Sequence, residues 1–242
     1  MNHPGACLYC AVDTTDLEAA RTLVRQLRGL IGGIKLGLEF FVAHGAAGVR
    51  TVMADSGLPL FLDLKFHDIP NTVVGAVRAA LAVQPAFLTV HTSGGAAMMK
   101  TAAEVAHAEA DRLGIVRPRL LGVTVLTSLT DRELWTVGQA TPVADQVSRL
   151  AALARESGID GIVCSPHEIT TLRARFGPEL VIMVPGIRPA RSFHGDQQRV
   201  LTPAEARIAG ADYLVIGRPI TQDKNPAAAA RRIVAELPAA ED

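Results

Sequence analysis

The chain has no charge excess of either sign: lysine plus arginine equals aspartate plus glutamate, 24 against 24. No global field therefore draws it to nucleic acid or to an anionic membrane, and neither is expected as a partner. Cysteine is scarce. Cys7, Cys10 and Cys164 make an odd number, which argues against a disulfide framework. Cys7 and Cys10 have C-x-x-C spacing, but no second ligand pair exists and Cys10 lies in an apolar, strand-like run. A zinc or redox role is therefore not expected. Residues 1–10 lack the basic start and apolar core of a signal peptide, and no uninterrupted apolar run reaches membrane-spanning length. A cytoplasmic protein is expected. Composition shifts, linkers and low-complexity segments are lacking too, which points to one domain over residues 1–242.

Aromatic residues are few, at 4%, within a 49% hydrophobic composition. Such a chain, rich in Ala, Val, Leu and Gly, suits helices packed closely on a parallel sheet. Apolar runs with β-branched residues recur near 8–12, 33–37, 59–64, 86–91, 120–126, 160–164, 180–184 and 212–216. Helix-like segments such as 16–30, 96–113 and 143–157 alternate with them. Eight β/α units at this length predict a TIM (β/α)8 barrel over an open doubly wound sheet.

The most informative stretch is Phe61-Leu62-Asp63-Leu64-Lys65-Phe66-His67-Asp68-Ile69-Pro70-Asn71-Thr72. Residues 59–64 read as a buried strand, whose side chains alternate faces, so Asp63 and Lys65 point one way and Leu64 the other. Pro70 suits a first helical turn, and Val73, Val77, Ala80 and Leu81 follow at helical spacing. An ordinary ion pair at a strand end is the plain reading of Asp63 and Lys65. Asp68 and Thr72 change the weighting, because a second carboxylate there has no obvious structural use and charges are rarely buried unless paired.

In a barrel, function sits where strands end and βα loops begin. Asp13 follows the first strand, Lys35 lies within the second and His91 ends the fourth. Thr127 and Ser128 end the fifth, Pro185 to Arg188 the seventh, and Gly217-Arg218 the eighth. Gly217-Arg218-Pro219, with the glycine-bearing loop after strand seven, occupies the place where barrels commonly bind phosphate. Glycine lets backbone N–H groups approach the anion, and arginine can grip it bidentately; the alternative is a simple turn with a solvated arginine. His91 reads as a hydrogen-bonded packing residue and is assigned no role. Residues 185–199 are polar and without periodicity, and read as a lid in which Arg188 and Gln197 contact ligand.

Taken together, these residues resemble the orotidine 5'-monophosphate decarboxylase family. Residues 63–72 resemble its D-x-K-x-x-D signature, and Thr124 to Ser128, Pro185 to Pro189, Gly195 to Gln197 and Val215 to Pro219 resemble its later motifs. The resemblance implies that Lys65 is the proton donor and that Lys35, Asp63, Lys65 and Asp68 form an alternating charge network. It implies a homodimer with shared sites, Asp68 and Thr72 reaching the partner's substrate, and places Ile69 among the substrate-binding positions. Asp13 and Lys35 would hold ribose hydroxyls, Thr127 the pyrimidine edge, and Gln197, Gly217 and Arg218 the phosphate. Arg188 would be a further substrate contact. No cofactor or metal is implied.

That chemistry has a clear demand. Loss of CO2 from C6 of orotate leaves a carbanion that the ring cannot delocalise as an enolate would. An ammonium must meet the developing charge, and Lys65 can do so and then deliver the proton. Asp63 beside the substrate carboxylate would raise the ground state by repulsion. Barrels that resemble this chain in the signature but act on sugar phosphates, such as 3-keto-gulonate phosphate decarboxylase and hexulose phosphate synthase, use magnesium and carry an acidic residue where Lys35 stands. Lys35 favours the metal-free nucleotide enzyme. A catalytically silent nucleotide-binding barrel is a third reading, against which the intact Asp63, Lys65 and Asp68 argue.

Overall fold

The eight apolar runs become eight parallel strands: β1 (Leu8–Ala11), β2 (Gly33–Gly37), β3 (Leu60–Phe66), β4 (Phe87–His91), β5 (Arg119–Val123), β6 (Gly161–Val163), β7 (Val181–Pro185) and β8 (Tyr213–Ile216). Each pairs with the next, and β1 pairs with β8 as well as β2, so the sheet closes into the expected barrel in chain order. The computed structural model describes residues 3–54, 56–189 and 201–238. Among the described residues no helix is long and apolar enough to cross a membrane.

Period-two alternation sorts the strands into two environments. Leu8, Cys10, Ile34, Leu36, Leu62, Leu88, Val90, Ile162, Ile182, Val184, Leu214 and Ile216 join the core between sheet and helices. Tyr9, Ala11, Phe61, Phe87, Leu121, Met183 and Val215 form a separate cluster inside the barrel. The scarce aromatics concentrate there: Tyr9, Phe61, Phe87 and Tyr213 meet edge to face with ring centroids 5.0 to 6.4 Å apart. Gly33 makes room for this floor, since a Cβ there would stand 2.1 Å from the Tyr9 ring.

Several boundaries moved for local reasons. The fifth strand, expected over 120–126, ends at Val123, which pairs with the last residue of the three-residue β6. Thr127 and Ser128 therefore lie in the loop beyond it. The third strand runs on past 64 to Phe66 through a register shift against β4. The first helix is Leu17–Leu27, capped by the Asp16 side chain, and stops short of 30 because Gly29 turns left-handed at φ 73°. The helix Pro70–Leu81 begins at its proline and buries Val73, Val77, Ala80 and Leu81. An additional short helix, Asp131–Thr136, is set by a capping box between Thr130 and Glu133.

At the opposite end of the barrel, two aspartates stitch neighbouring strands by one device. Asp160, just before β6, accepts Leu120 N–H of β5 and a two-pronged contact from Arg117. Asp212, just before β8, accepts Ile182 N–H of β7 and an Arg173 N–H.

Candidate active site

A cavity of about 370 Å³ opens where the strands end in their βα loops. Its most buried charged side chains are Asp63 and Lys35, each 12% exposed. Asp63 Oδ2 lies 2.7 Å from Lys65 Nζ and 3.8 Å from Lys35 Nζ. Lys35 Nζ in turn donates to Asp13 Oδ1 at 3.1 Å. Asp13, Lys35, Asp63 and Lys65 thus alternate in sign from β1 through β3, so each buried charge has an opposite neighbour. Gly37 leaves the space for this array: a Cβ there would sit 2.9 Å from Lys35 Nζ and 3.4 Å from Asp13 Oδ1.

Lys65 is one of two non-glycine residues with positive φ among the described residues, at φ 50°. Leu62 pairs with Leu88 and Phe66 with Val90, so four residues of β3 advance against two of β4. The bulge turns Lys65 into the cavity mouth, where its side chain is 29% exposed against 12% for Asp63.

The other side of the cavity is lined by Arg188, Gly217 and Arg218, with Thr127 and the apolar side chains of Val123, Val125 and Val163 along its walls. Burial, and after it the positive field of Arg218, lower the pKa of Arg188. Arg188 and Arg218 thus put two guanidiniums on this side of the cavity, and neither is in an ion pair among the described residues. Arg188 is anchored by its backbone N–H to Leu201 O, 3.2 Å.

Of the residues singled out from sequence, Asp13, Lys35, Asp63, Lys65, Thr127, Arg188, Gly217 and Arg218 line this one cavity. Asp68, Ile69 and Thr72 do not. They are exposed, Ile69 at 66%, and Asp68 Oδ1 accepts its neighbour's Ile69 N–H at 2.6 Å. Within the chain the charges that meet are Asp13, Lys35, Asp63 and Lys65, and Asp68 is not among them. Gln197 falls outside the described residues, as does most of the expected lid.

Sequence reasoning missed Thr89, whose hydroxyl donates to Asp63 Oδ1 at 3.0 Å and whose oxygen accepts Lys65 N–H at 2.9 Å. The available signal was parity, since Thr89 is the inward-facing polar residue two places after Phe87. His91, two places further, packs against His67 at a centroid distance of 5.5 Å, and its Nδ1 is buried without a hydrogen-bond partner among the described residues. Burial first, then His67 and Lys65, lower its pKa and favour the neutral ring. Cys10 is fully buried and burial pushes its thiol up to about 12. Among the described residues no group of three or more His, Cys, Asp or Glu side chains could hold a metal ion.

Residues 7–233 match the family described as Orotidine 5'-phosphate decarboxylase / HUMPS family. The chain belongs to this family. Among its orotidine 5'-phosphate decarboxylase relatives, that of Paramagnetospirillum magneticum is 54% identical over 230 residues, 95% of this chain and 97% of the relative. That of Rhodospirillum rubrum is also 54% identical, over 95% of this chain and 93% of its own length. The crystal structure of orotidine 5'-phosphate decarboxylase from Lactobacillus acidophilus superposes with a TM-score of 0.83 at 35% identity, covering 95% of this chain and 98% of the other. Family membership thus extends over the whole barrel, from β1 to the last helix, Pro226–Ala235.

Proposed function

We propose that this chain, acting as one domain over residues 1–242, decarboxylates orotidine 5'-monophosphate to uridine 5'-monophosphate in pyrimidine biosynthesis. The observation that carries the reading is the Lys35–Asp63–Lys65 array on the cavity wall, in a chain 54% identical to orotidine 5'-phosphate decarboxylases. The C6–carboxylate bond breaks, its electron pair stays on C6 as CO2 leaves, and Lys65 Nζ transfers a proton to that carbon. Water then reprotonates the lysine. No cofactor or metal enters this scheme.

The charges suit that course. Asp63 holds the Lys65 ammonium at 2.7 Å before substrate arrives, so little reorganisation is needed as negative charge appears on C6. A substrate carboxylate set beside Asp63 meets like charge, which is relieved as CO2 departs. Asp13 and Lys35 are spaced to hold vicinal ribose hydroxyls, Thr127 lies along the wall for the pyrimidine edge, and Arg188, Gly217 and Arg218 form the phosphate end, with Gln197 assigned there by resemblance. Binding of the remote phosphate supplies free energy that can be used to close the site over the reacting carbon.

The reading includes a homodimer in which Asp68, Ile69 and Thr72 serve the partner's cavity. It is supported by their exposure and by the apolar side chains of Leu38, Val42 and Ile69, 53%, 82% and 66% exposed, on the adjoining rims of β2 and β3. Incubation with orotidine 5'-monophosphate in a chelator, followed by ultraviolet absorbance, tests the activity. Loss of the orotate band with release of CO2 is expected; no turnover, or turnover only on added magnesium, refutes the metal-free decarboxylase.

A further inference from the structure

Thr89 stands at the middle of β4, fully buried, and does not line the cavity. Its side chain nevertheless engages both central residues of the site. The hydroxyl donates to Asp63 Oδ1, and the same oxygen accepts the Lys65 N–H. We infer that Thr89 is a positioning residue for decarboxylation, holding the Asp63 carboxylate and the Lys65 backbone in the one arrangement that aims the ammonium at the reacting carbon. The inference rests on the decarboxylase reading above.

The register shift explains why a side chain is needed there. Between the Leu62–Leu88 and Phe66–Val90 pairs, three residues of β3 face a single residue of β4. The ladder therefore offers Lys65 N–H no regular carbonyl partner, and a buried donor left unpaired is unfavourable. The Thr89 oxygen fills that role and so supports the left-handed backbone of Lys65, φ 50°, which an unbranched side chain adopts only under constraint.

On the other side of the same hydroxyl, Asp63 is held by its Oδ1, leaving Oδ2 to face Lys65 Nζ at 2.7 Å. The terminal torsion of an aspartate is otherwise broad, so a carboxylate without this bond can turn Oδ2 away from the ammonium. One hydroxyl thereby couples the orientation of the charged partner to the backbone of the proton donor. Full burial of a hydroxyl whose proton is donated to Asp63 and whose oxygen accepts Lys65 N–H separates this arrangement from a substrate contact.

Thr89→Val keeps the shape and removes the hydroxyl, whereas Thr89→Ser keeps the hydroxyl. In Thr89→Val, kcat is expected to fall roughly 10- to 100-fold, the size of effect that an unpaired buried polar group carries. The affinity for uridine 5'-monophosphate should stay within about twofold, because ribose and phosphate contacts lie elsewhere. Thr89→Ser should recover kcat to within about threefold of the parent. A Thr89→Val enzyme with parental kcat, an equal loss of product binding, or Thr89→Ser as impaired as Thr89→Val overturns the inference. Should the valine variant not fold, Thr89→Ala and Thr89→Ser carry the comparison, and equal kcat in those two overturns it. A parent that does not decarboxylate at all removes the functional reading and this inference together; an active parent with an unimpaired Thr89→Val removes this inference alone.

Discussion

A shared active site makes a quantitative prediction when two inactive subunits are mixed. Asp68 lies three residues beyond Lys65, and at about 3.3 Å per extended residue the chain carries it up to roughly 10 Å from the lysine. Its carboxylate accepts the adjacent Ile69 N–H, it is exposed, and it joins no ion pair among the described residues, whereas Lys65 already faces Asp63. If Asp68 acts on the partner's Lys65, Lys65→Ala and Asp68→Ala each destroy both sites of their own homodimer. Loss of a positioned proton donor amounts to roughly 10²- to 10⁴-fold, so the Lys65→Ala parent should sit below about 1% of wild type. A mixed dimer behaves differently. One of its sites combines an intact Lys65 with an intact Asp68, and the other lacks both. Equal mixing with random exchange makes about half of the dimers mixed, each with one working site, so activity should return to about one quarter of wild type. The assay is decarboxylation after controlled dissociation and reassociation, with native mass spectrometry to count mixed dimers. Recovery should scale with the mixed fraction. If mixed dimers form and activity stays at the level of the parents, Asp68 acts within its own chain, and the shared-site arrangement is wrong.

Three further outcomes follow from particular contacts. Lys65→Ala should lower kcat at least roughly 10²-fold while uridine 5'-monophosphate still binds by calorimetry, and substantial turnover in that variant would remove Lys65 from the proton-donor role. Arg218→Ala should reduce kcat/KM for orotidine 5'-monophosphate roughly 10- to 100-fold yet leave the nucleoside orotidine little changed, as expected for a charge-assisted phosphate contact; equal losses on both substrates would place Arg218 outside the phosphate site. Asp160→Ala removes the partner of Arg117 and of Leu120 N–H, at 2.6 to 2.8 Å. That loss should cost about 1–3 kcal/mol and lower Tm by roughly 2–12 °C without changing KM, and an unchanged melting curve would show the stitch between β5 and β6 to be dispensable.

Much of this molecule is local and periodic, and that part is legible in the chain. Eight apolar runs spaced by helical segments specify a barrel because each strand buries one face against helices and the other inside, and both requirements are written as alternation. The same parity brings Asp13, Lys35, Asp63 and Lys65 to the inner face, and strand ends bring Arg188 and Arg218 to the mouth. Helix starts at Pro70 and Asp16 rest on one or two residues and were equally visible. Register was not. The bulge opposite Thr89 depends on how β3 pairs with β4, a relation between residues more than twenty apart, so neither the left-handed Lys65 nor the hydroxyl that supports it could be read from the signature. Asp68 stands three residues from Lys65 in sequence, yet the turn after β3 carries it out of the cavity while Asp13, fifty residues before Asp63, completes the charge array. Sequence determines which groups are present and which way each strand presents them; only closure of the barrel decides which of those groups meet, because electrostatic and hydrogen-bond contacts act over a few ångströms of space and not along the chain.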